Sequence, residues 1–170
     1  YNIGFAIAAA GVYGITEDET ASALKNSQPI AGRGVCRNTA DGGWVIDEAY
    51  NANPTSMSAA ISNVMEINKG RKYRTFAVLG GMRELGAASA ELHAGILKQI
   101  EPFDKVALIG EEWATPGLVI PSNAKVCNTL DEIIKEIEKA DMSGCILLVK
   151  GSNSYGLKKV VESRTGGALC

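Results

Sequence analysis

The sequence has few of the residues that metal and nucleic-acid sites require. It contains one histidine, His93, and its four cysteines form no C-x-x-C pair, so a structural zinc site is not expected. Its net charge is −2, without the basic excess that binds phosphate backbones, which argues against nucleic acid as the main partner. No apolar run is long enough to cross a bilayer.

The remaining composition is that of an ordinary globular domain. Of the 170 residues, 46% are hydrophobic and 21% are charged, enough for one domain or for a domain plus a fragment. Cys127 and Cys145 lie in or beside apolar runs, whereas Cys36 and Cys170 do not. Buried, reduced thiols are typical of a cytoplasmic protein, and we expect that location.

The first 31 residues differ in pattern from the rest. Small and apolar residues predict a buried helix over 2–13, and Thr16 to Glu19 has the form of a capping box that opens a second helix. A polar, glycine-bearing stretch over 26–34 predicts a boundary near residue 31. The chain starts with Tyr1 rather than methionine, so we expect a fragment of a longer protein.

From Gly43 onward, strand-like and helix-like segments alternate. This pattern predicts an α/β fold with a mostly parallel sheet flanked by helices. The Asp41-Gly42 pair between two strand-like runs predicts a hairpin at its start. The expected strands lie near 43–47, 73–79, 104–109, 124–127 and 144–149, and the expected helices near 54–68, 87–100, 130–140 and 155–163.

The richest polar segment is Asp47-Glu48-Ala49-Tyr50-Asn51-Ala52-Asn53-Pro54. It joins an apolar strand to a helix that Asn53 is predicted to cap, with Pro54 at the first helical position. Ligands of open α/β sheets bind outside the carboxyl ends of the strands. The segment is therefore either a ligand-binding turn or a capping loop rich in asparagine.

Two further strands end in loops of the same kind. One loop runs from Gly80 to Gly86 and the other from Lys150 to Gly156, and each follows an apolar strand and precedes a helix. Three such loops on one sheet edge would line a single cleft.

The order and separation of three segments resemble those of the Mur ligases of peptidoglycan synthesis: DEAYNANPTSM, VLGGMRELG and LLVKGSNSYGLKKVVE. The Tyr-Asn-Ala-Asn-Pro form, where sister ligases carry a histidine, is similar to the branch that adds D-alanyl-D-alanine to UDP-MurNAc-tripeptide. The resemblance covers essentially the whole chain. It implies a Rossmann-like C-terminal domain over 32–170, with one antiparallel strand, preceded by the last helices of a central ATPase domain over 1–31.

The resemblance also implies cofactors, ATP and Mg²⁺, bound mainly by the central domain. No G-x-x-x-x-G-K-[ST] motif occurs here, so the chain alone is not expected to catalyse ligation. In the family, an arginine like Arg33 reaches the nucleotide phosphates, and an aspartate at the place of Glu48 binds the ribose. The remaining candidates for nucleotide binding are Asp47, on the opposite face of the strand, Asn51, and Asn2, which the resemblance places near the adenine.

The incoming amine is expected at the last loop. The resemblance assigns Lys150, Gly151, Ser152 and Asn153 to the carboxylate of the dipeptide, aided by the following helix N-terminus. Tyr50 and Asn53 are the substrate candidates of the first turn. No catalytic residue and no metal ligand is expected in this chain. Two departures from the family are Gly81, where aspartate is usual, and Asn153, where arginine is usual.

Two alternatives remain open at this point. The departures are compatible with a Mur-like ligase that uses a different amine, which a substrate panel would test. The chain is also compatible with a non-catalytic domain that binds a nucleotide or a protein partner. A P-loop upstream of Tyr1 would exclude that second alternative.

Overall fold

A mixed six-stranded sheet organises the part of the chain that the computed structural model describes, residues 2–27 and 30–165. Its strand order is β1-β2-β6-β3-β4-β5, and every neighbouring pair is parallel except β1 and β2. The strands are β1 (Val35–Asn38), β2 (Trp44–Glu48), β3 (Arg74–Gly80), β4 (Lys105–Ile109), β5 (Ala124–Cys127) and β6 (Cys145–Lys150). The predicted fold class, with its hairpin and single antiparallel strand, is confirmed.

Helices follow the strands much as the sequence predicts. They are α1 (Asn2–Val12), α2 (Glu17–Asn26), α3 (Pro54–Asn68), α4 (Ser89–Gln99), α5 (Leu130–Glu138) and α6 (Lys158–Arg164). The last helix begins three residues later than predicted, because a 3₁₀ turn over Asn153–Tyr155 and Gly156 at a φ of 64° come first. The loop after β6 is therefore longer than the sequence indicates.

The core has two layers, one on each face of the sheet. On one face α3 and α4 pack against β3, β4 and β6 through side chains that include Met57, Ile61, Val64, Ile96, Leu79, Leu108, Ile146 and Leu148. On the other face α5 and α6 pack through Ile133, Ile137, Val160, Val161, Val78, Leu147 and Val149. Because β6 is covered on both faces, all six of its residues are buried.

Helix caps agree with the sequence at the starts of α2 and α3. Thr16 and Glu19 form the predicted capping box, and Asn53 accepts from the backbone N–H of Ser56 at 2.8 Å. At the start of α5, a capping box at Thr129 is only half formed. The Thr129 hydroxyl accepts from the Glu132 N–H, but the Glu132 carboxylate accepts from Asn128 instead of Thr129.

The prediction of a buried first helix is wrong for this chain. The apolar side chains of α1 and of the turn after it face solvent: Ile3, Phe5, Ile7, Val12, Tyr13 and Ile15. The two buried clusters of the described residues contain none of them. An apolar helix that remains exposed has the surface of an element that packs against another body.

Candidate functional site

The carboxyl ends of four parallel strands meet at one edge of the sheet. Glu48 of β2 lies beside Lys150 of β6, and Lys150 lies beside Leu79 of β3. The end of β3 in turn pairs with Ile109 of β4. The loops that follow these strands therefore line one continuous edge, as the sequence predicts for three of them.

Asp47 and Glu48 point to opposite faces of β2, as strand alternation predicts. Asp47 is 3% exposed, and its carboxylate accepts from the N–H groups of Gly32 at 3.0 Å and Ala49 at 3.2 Å. These bonds fix the loop that carries Arg33 against the turn after β2. The geometry gives Asp47 a positioning role, because both of its oxygens are engaged by backbone groups.

Lys150 lies inward rather than in the loop that follows it. It is 1% exposed, and its ammonium donates to Glu48 Oε2 at 3.2 Å and to the carbonyl of Asn51 at 2.9 Å. Since the ammonium has two partners below the surface, it makes no exposed contact site for a substrate carboxylate. Lys150 instead fixes the turn after β2 and sets the position of the Glu48 carboxylate.

Arg33 and Tyr50 form an exposed stack beside this turn. The guanidinium carbon of Arg33 lies 4.2 Å from the centre of the Tyr50 ring, and both side chains are exposed. The backbone N–H of Tyr50 donates to the carbonyl of Gly32 at 3.2 Å. This arrangement presents a planar cation whose donors suit a phosphate.

The two asparagines of the turn have different tasks. Asn51 is exposed, and its side-chain oxygen accepts from the next backbone N–H at 2.9 Å. Asn53 caps α3. The side chain of Asn2, at the start of α1, lies outside the described residues.

The loop after β6 approaches the same turn from the other side. Gly151 packs so tightly that an added Cβ would lie 2.9 Å from the Cα of Gly80 and 2.6 Å from a methyl of Leu157. Ser152 is half-buried, whereas Asn153 is exposed and lines a small cavity of about 70 Å³ with Gly32, Asp47 and Tyr50 among its neighbours. The fold therefore brings the first and last predicted loops together.

A second polar cluster lies where the loops after β3, β4 and β6 meet. The Tyr155 hydroxyl donates to Glu112 Oε2 at 2.5 Å, and Arg83 donates to the Tyr155 hydroxyl at 3.3 Å. Burial, together with the hydrogen bond to Glu112, raises the pKa of Tyr155 to about 12. The tyrosine is therefore protonated and acts as a donor at neutral pH.

Glu112 occupies the space that a side chain at position 81 would need. A Cβ built on Gly81 would lie 2.3 Å from Glu112 Oε2. Glu112 is not among the site residues predicted from the sequence, because it is distant from Gly81 along the chain. Ligands of open α/β sheets bind beyond the carboxyl ends of the strands, and Glu112 follows the strand over 105–109, so the same reasoning would have identified it.

His93 anchors the loop after β3 rather than a metal. It is fully buried, its Nε2 accepts from the Met82 N–H at 3.0 Å, and its Nδ1 donates to the Ser89 carbonyl at 2.7 Å. Its ring packs edge-on against Trp113 at a centroid distance of 4.6 Å.

The described residues show neither a metal cluster nor a membrane-spanning helix. Over 2–27 and 30–165, no three histidine, cysteine or acidic side chains cluster as a metal site would require. Within the same residues no helix combines the length and apolarity of a membrane span. Burial raises the pKa of the Cys127 and Cys145 thiols, which disfavours the reactive thiolate form of both.

Residues 32–153 match the protein family described as "Mur ligase, glutamate ligase domain". Among curated relatives, the UDP-N-acetylmuramoyl-tripeptide–D-alanyl-D-alanine ligase of Escherichia coli is 28% identical over 100% of this chain and 38% of its own length. The ligase of the same name from Bacillus subtilis is 30% identical over 92% of this chain and 35% of its own length. The chain thus spans little more than a third of these relatives.

Solved structures show the same fold. MurF from Acinetobacter baumannii is 25% identical and superposes over 95% of this chain and 36% of its own, with a TM-score of 0.78. The MurF ligase from Thermotoga maritima in complex with ADP is 22% identical over 92% of this chain and 35% of its own, with a TM-score of 0.77.

Proposed function

Because this chain belongs to the Mur ligase family through its glutamate ligase domain, we propose that it is the C-terminal part of an ATP-dependent ligase that joins D-alanyl-D-alanine to UDP-MurNAc-tripeptide. Residues 32–170 are then the C-terminal domain, and residues 1–31 end the central ATPase domain. The family match beginning at residue 32 and the exposed apolar face of α1 support this division. The proposal includes a cytoplasmic site of action, which the buried, free thiols of Cys127 and Cys145 support.

Nucleotide binding by this domain is assigned to the edge at β2. The exposed Arg33 guanidinium suits the ATP phosphates, and the Glu48 carboxylate, whose side chain is 27% exposed, suits a ribose hydroxyl. When bound, ATP supplies the phosphoryl group that activates the substrate carboxylate. The Mg²⁺ that accompanies ATP is assigned to the central domain, as the resemblance to Mur ligases implies.

The other residues of the edge hold these two groups in place. Asp47 fixes the Gly32 backbone next to Arg33, and Lys150 fixes Glu48. A preorganised cation and carboxylate lose little freedom when ligand binds, which favours affinity. Tyr50 gives the Arg33 guanidinium a platform. Asn51 and Asn53 complete the turn.

The amine substrate is assigned to the part of the edge after β6 and β3. Ser152 and Asn153 offer a hydroxyl and an amide near the Tyr50 turn. Closure of this domain over the central domain would bring the amine in line with the activated carboxylate, and orientation of this kind accounts for much of ligase catalysis.

The observation that carries the proposal is the meeting of the predicted loops at one sheet edge of a family-matched domain. The test uses the complete gene product with ATP, magnesium and UDP-MurNAc-tripeptide. We would offer D-alanyl-D-alanine beside single amino acids and follow ADP release and product mass. Coupling of the dipeptide is the expected result.

A different product would change the assignment in a defined way. Coupling of a single amino acid instead would support a Mur-like ligase with another amine, the alternative that the departures at Gly81 and Asn153 favour. If the complete protein binds ATP and UDP-MurNAc-tripeptide but couples no amine, the function that remains is that of a non-catalytic binding domain.

A further inference from the structure

We propose that Arg83 is the anchor for the carboxylate of the incoming dipeptide, with Glu112 and Tyr155 as its positioning residues. This inference rests on the proposed function and gives it a specific residue. The last loop does not supply the cation for this task, because the Lys150 ammonium is buried against Glu48 and Asn51. Arg83, by contrast, is 48% exposed at the side chain.

The guanidinium of Arg83 is held but not saturated. Within the described residues it donates one hydrogen bond, to Tyr155, and its Nε lies 3.8 Å from Glu112 Oε1. The Tyr155 ring also lies beneath it, with the guanidinium carbon 4.9 Å from the ring centre. Arginine carries five N–H donors, so several remain for a carboxylate, which a guanidinium binds with two parallel hydrogen bonds.

The surroundings form an open depression on the surface. Arg83 and Glu112 line this depression, of about 410 Å³, together with Met82, Glu84 and Ser89. Glu84 has a φ of 64°, a left-handed conformation that is costly for a residue other than glycine. Such strain is retained mainly at binding sites, where it aims a neighbouring side chain.

The test compares two amines in the complete gene product: D-alanyl-D-alanine and its C-terminal carboxamide, which lacks the negative charge. Wild type should prefer the acid by roughly 10- to 100-fold in kcat/KM, the value of charge-assisted hydrogen bonds. Arg83→Met should couple acid and carboxamide equally well, with the loss expressed in the KM of the acid and with the KM of ATP unchanged.

Matched variants separate anchoring from structural support. Arg74→Met removes an arginine from the other end of β3 that is 44% exposed, and it should keep the wild-type preference. Glu112→Gln should lower the preference for the acid only in part. The double variant Arg83→Met/Glu112→Gln should show no lower preference than Arg83→Met alone. Arg83→Lys keeps the positive charge but not the planar guanidinium with its paired donors, and it should retain part of the preference for the acid over the carboxamide.

The outcomes are distinct. An active wild type without preference for the acid, or an Arg83→Met enzyme that keeps the preference, would overturn this inference and leave the proposed function intact. A wild type that couples neither amine would overturn both.

Discussion

The buried Lys150 and the partly exposed Glu48 form an ion pair that joins β6 to β2, with 3.2 Å between the ammonium nitrogen and Oε2. The carbonyl of Asn51 is the second acceptor for the same ammonium. One lysine therefore holds both the end of β2 and the turn that follows it. The nucleotide edge depends on this pair for its shape.

Lys150→Met should destabilise the protein. It keeps the apolar stem but leaves the Asn51 carbonyl and the Glu48 carboxylate without a donor. We expect the free energy of unfolding to fall by about 1–3 kcal/mol, measured by urea denaturation. Lys125→Met is the control, since its 2.8 Å bond to Glu136 is shorter but the lysine is exposed, and little change is expected. An equal fall in the free energy of unfolding in the two variants would show that the burial of Lys150 adds nothing to the stabilisation.

Asp47→Asn should weaken the loop that carries Arg33. Asparagine has the same shape, but one of its two terminal atoms becomes a donor and faces the N–H of Gly32 or Ala49. An unpaired buried N–H costs about 1–3 kcal/mol in stability. In the complete protein we also expect a higher KM for ATP, because Arg33 follows Gly32.

The control for this variant is Asp131→Asn, an exposed aspartate in the first turn of α5, which should change stability by less than about 0.5 kcal/mol. An Asp47→Asn protein as stable as wild type, with an unchanged KM for ATP, would contradict the positioning role of Asp47.

The sequence predicted the sheet and most helix starts because these depend on local patterns. Asn53 followed by Pro54 is a local signal for a helix start, and the structure shows that start. The buried position of Lys150 was not predictable in this way. The strand β6 is covered on both faces and all six of its residues are buried. Its sequence therefore shows no alternation of apolar and polar residues that would reveal the direction of each side chain.

The cluster of Arg83, Glu112 and Tyr155 shows a second limit. Glu112 and Tyr155 are 43 positions apart and follow β4 and β6, which are not neighbours in the sheet. Their contact depends on the strand order, which the sequence pattern alone does not specify. The absence of a side chain at Gly81 was visible, but the residue that fills its space was not.

Gly81→Ala should destabilise the protein by displacing Glu112 from Tyr155. The new methyl group would lie 2.3 Å from Glu112 Oε2 and 3.1 Å from the Tyr155 hydroxyl, so the carboxylate has to move. We expect a loss of about 1–3 kcal/mol in the free energy of unfolding. Gly95→Ala, in open space on α4, should instead stabilise by about 0.5–1 kcal/mol.

A double-mutant cycle tests the cause of this loss. If Glu112 is what the methyl group displaces, Gly81→Ala should cost much less in a Glu112→Ala background. Additive losses in the double variant would mean that the backbone, and not Glu112, resists a side chain at position 81.

Tyr155 should ionise later than an ordinary tyrosine and make stability fall at high pH. Burial and the Glu112 carboxylate raise the pKa of Tyr155 in the folded protein to about 12, from about 10 when unfolded. Between these values the folded state holds the proton that the unfolded state has lost. Its contribution to stability is therefore complete below pH 10 and disappears as the pH rises through 12.

The measurement is an absorbance titration at the tyrosinate band, with Tyr155→Phe subtracted from wild type. The difference should show one ionisation well above pH 10, and Glu112→Gln should move it toward 10, because the acceptor that opposes ionisation loses its charge. The decline in stability above pH 10 should also be smaller in Tyr155→Phe. A difference curve with its midpoint at the ordinary value would mean that Glu112 and Tyr155 are not in contact in solution, and the anchor at Arg83 would lose its support.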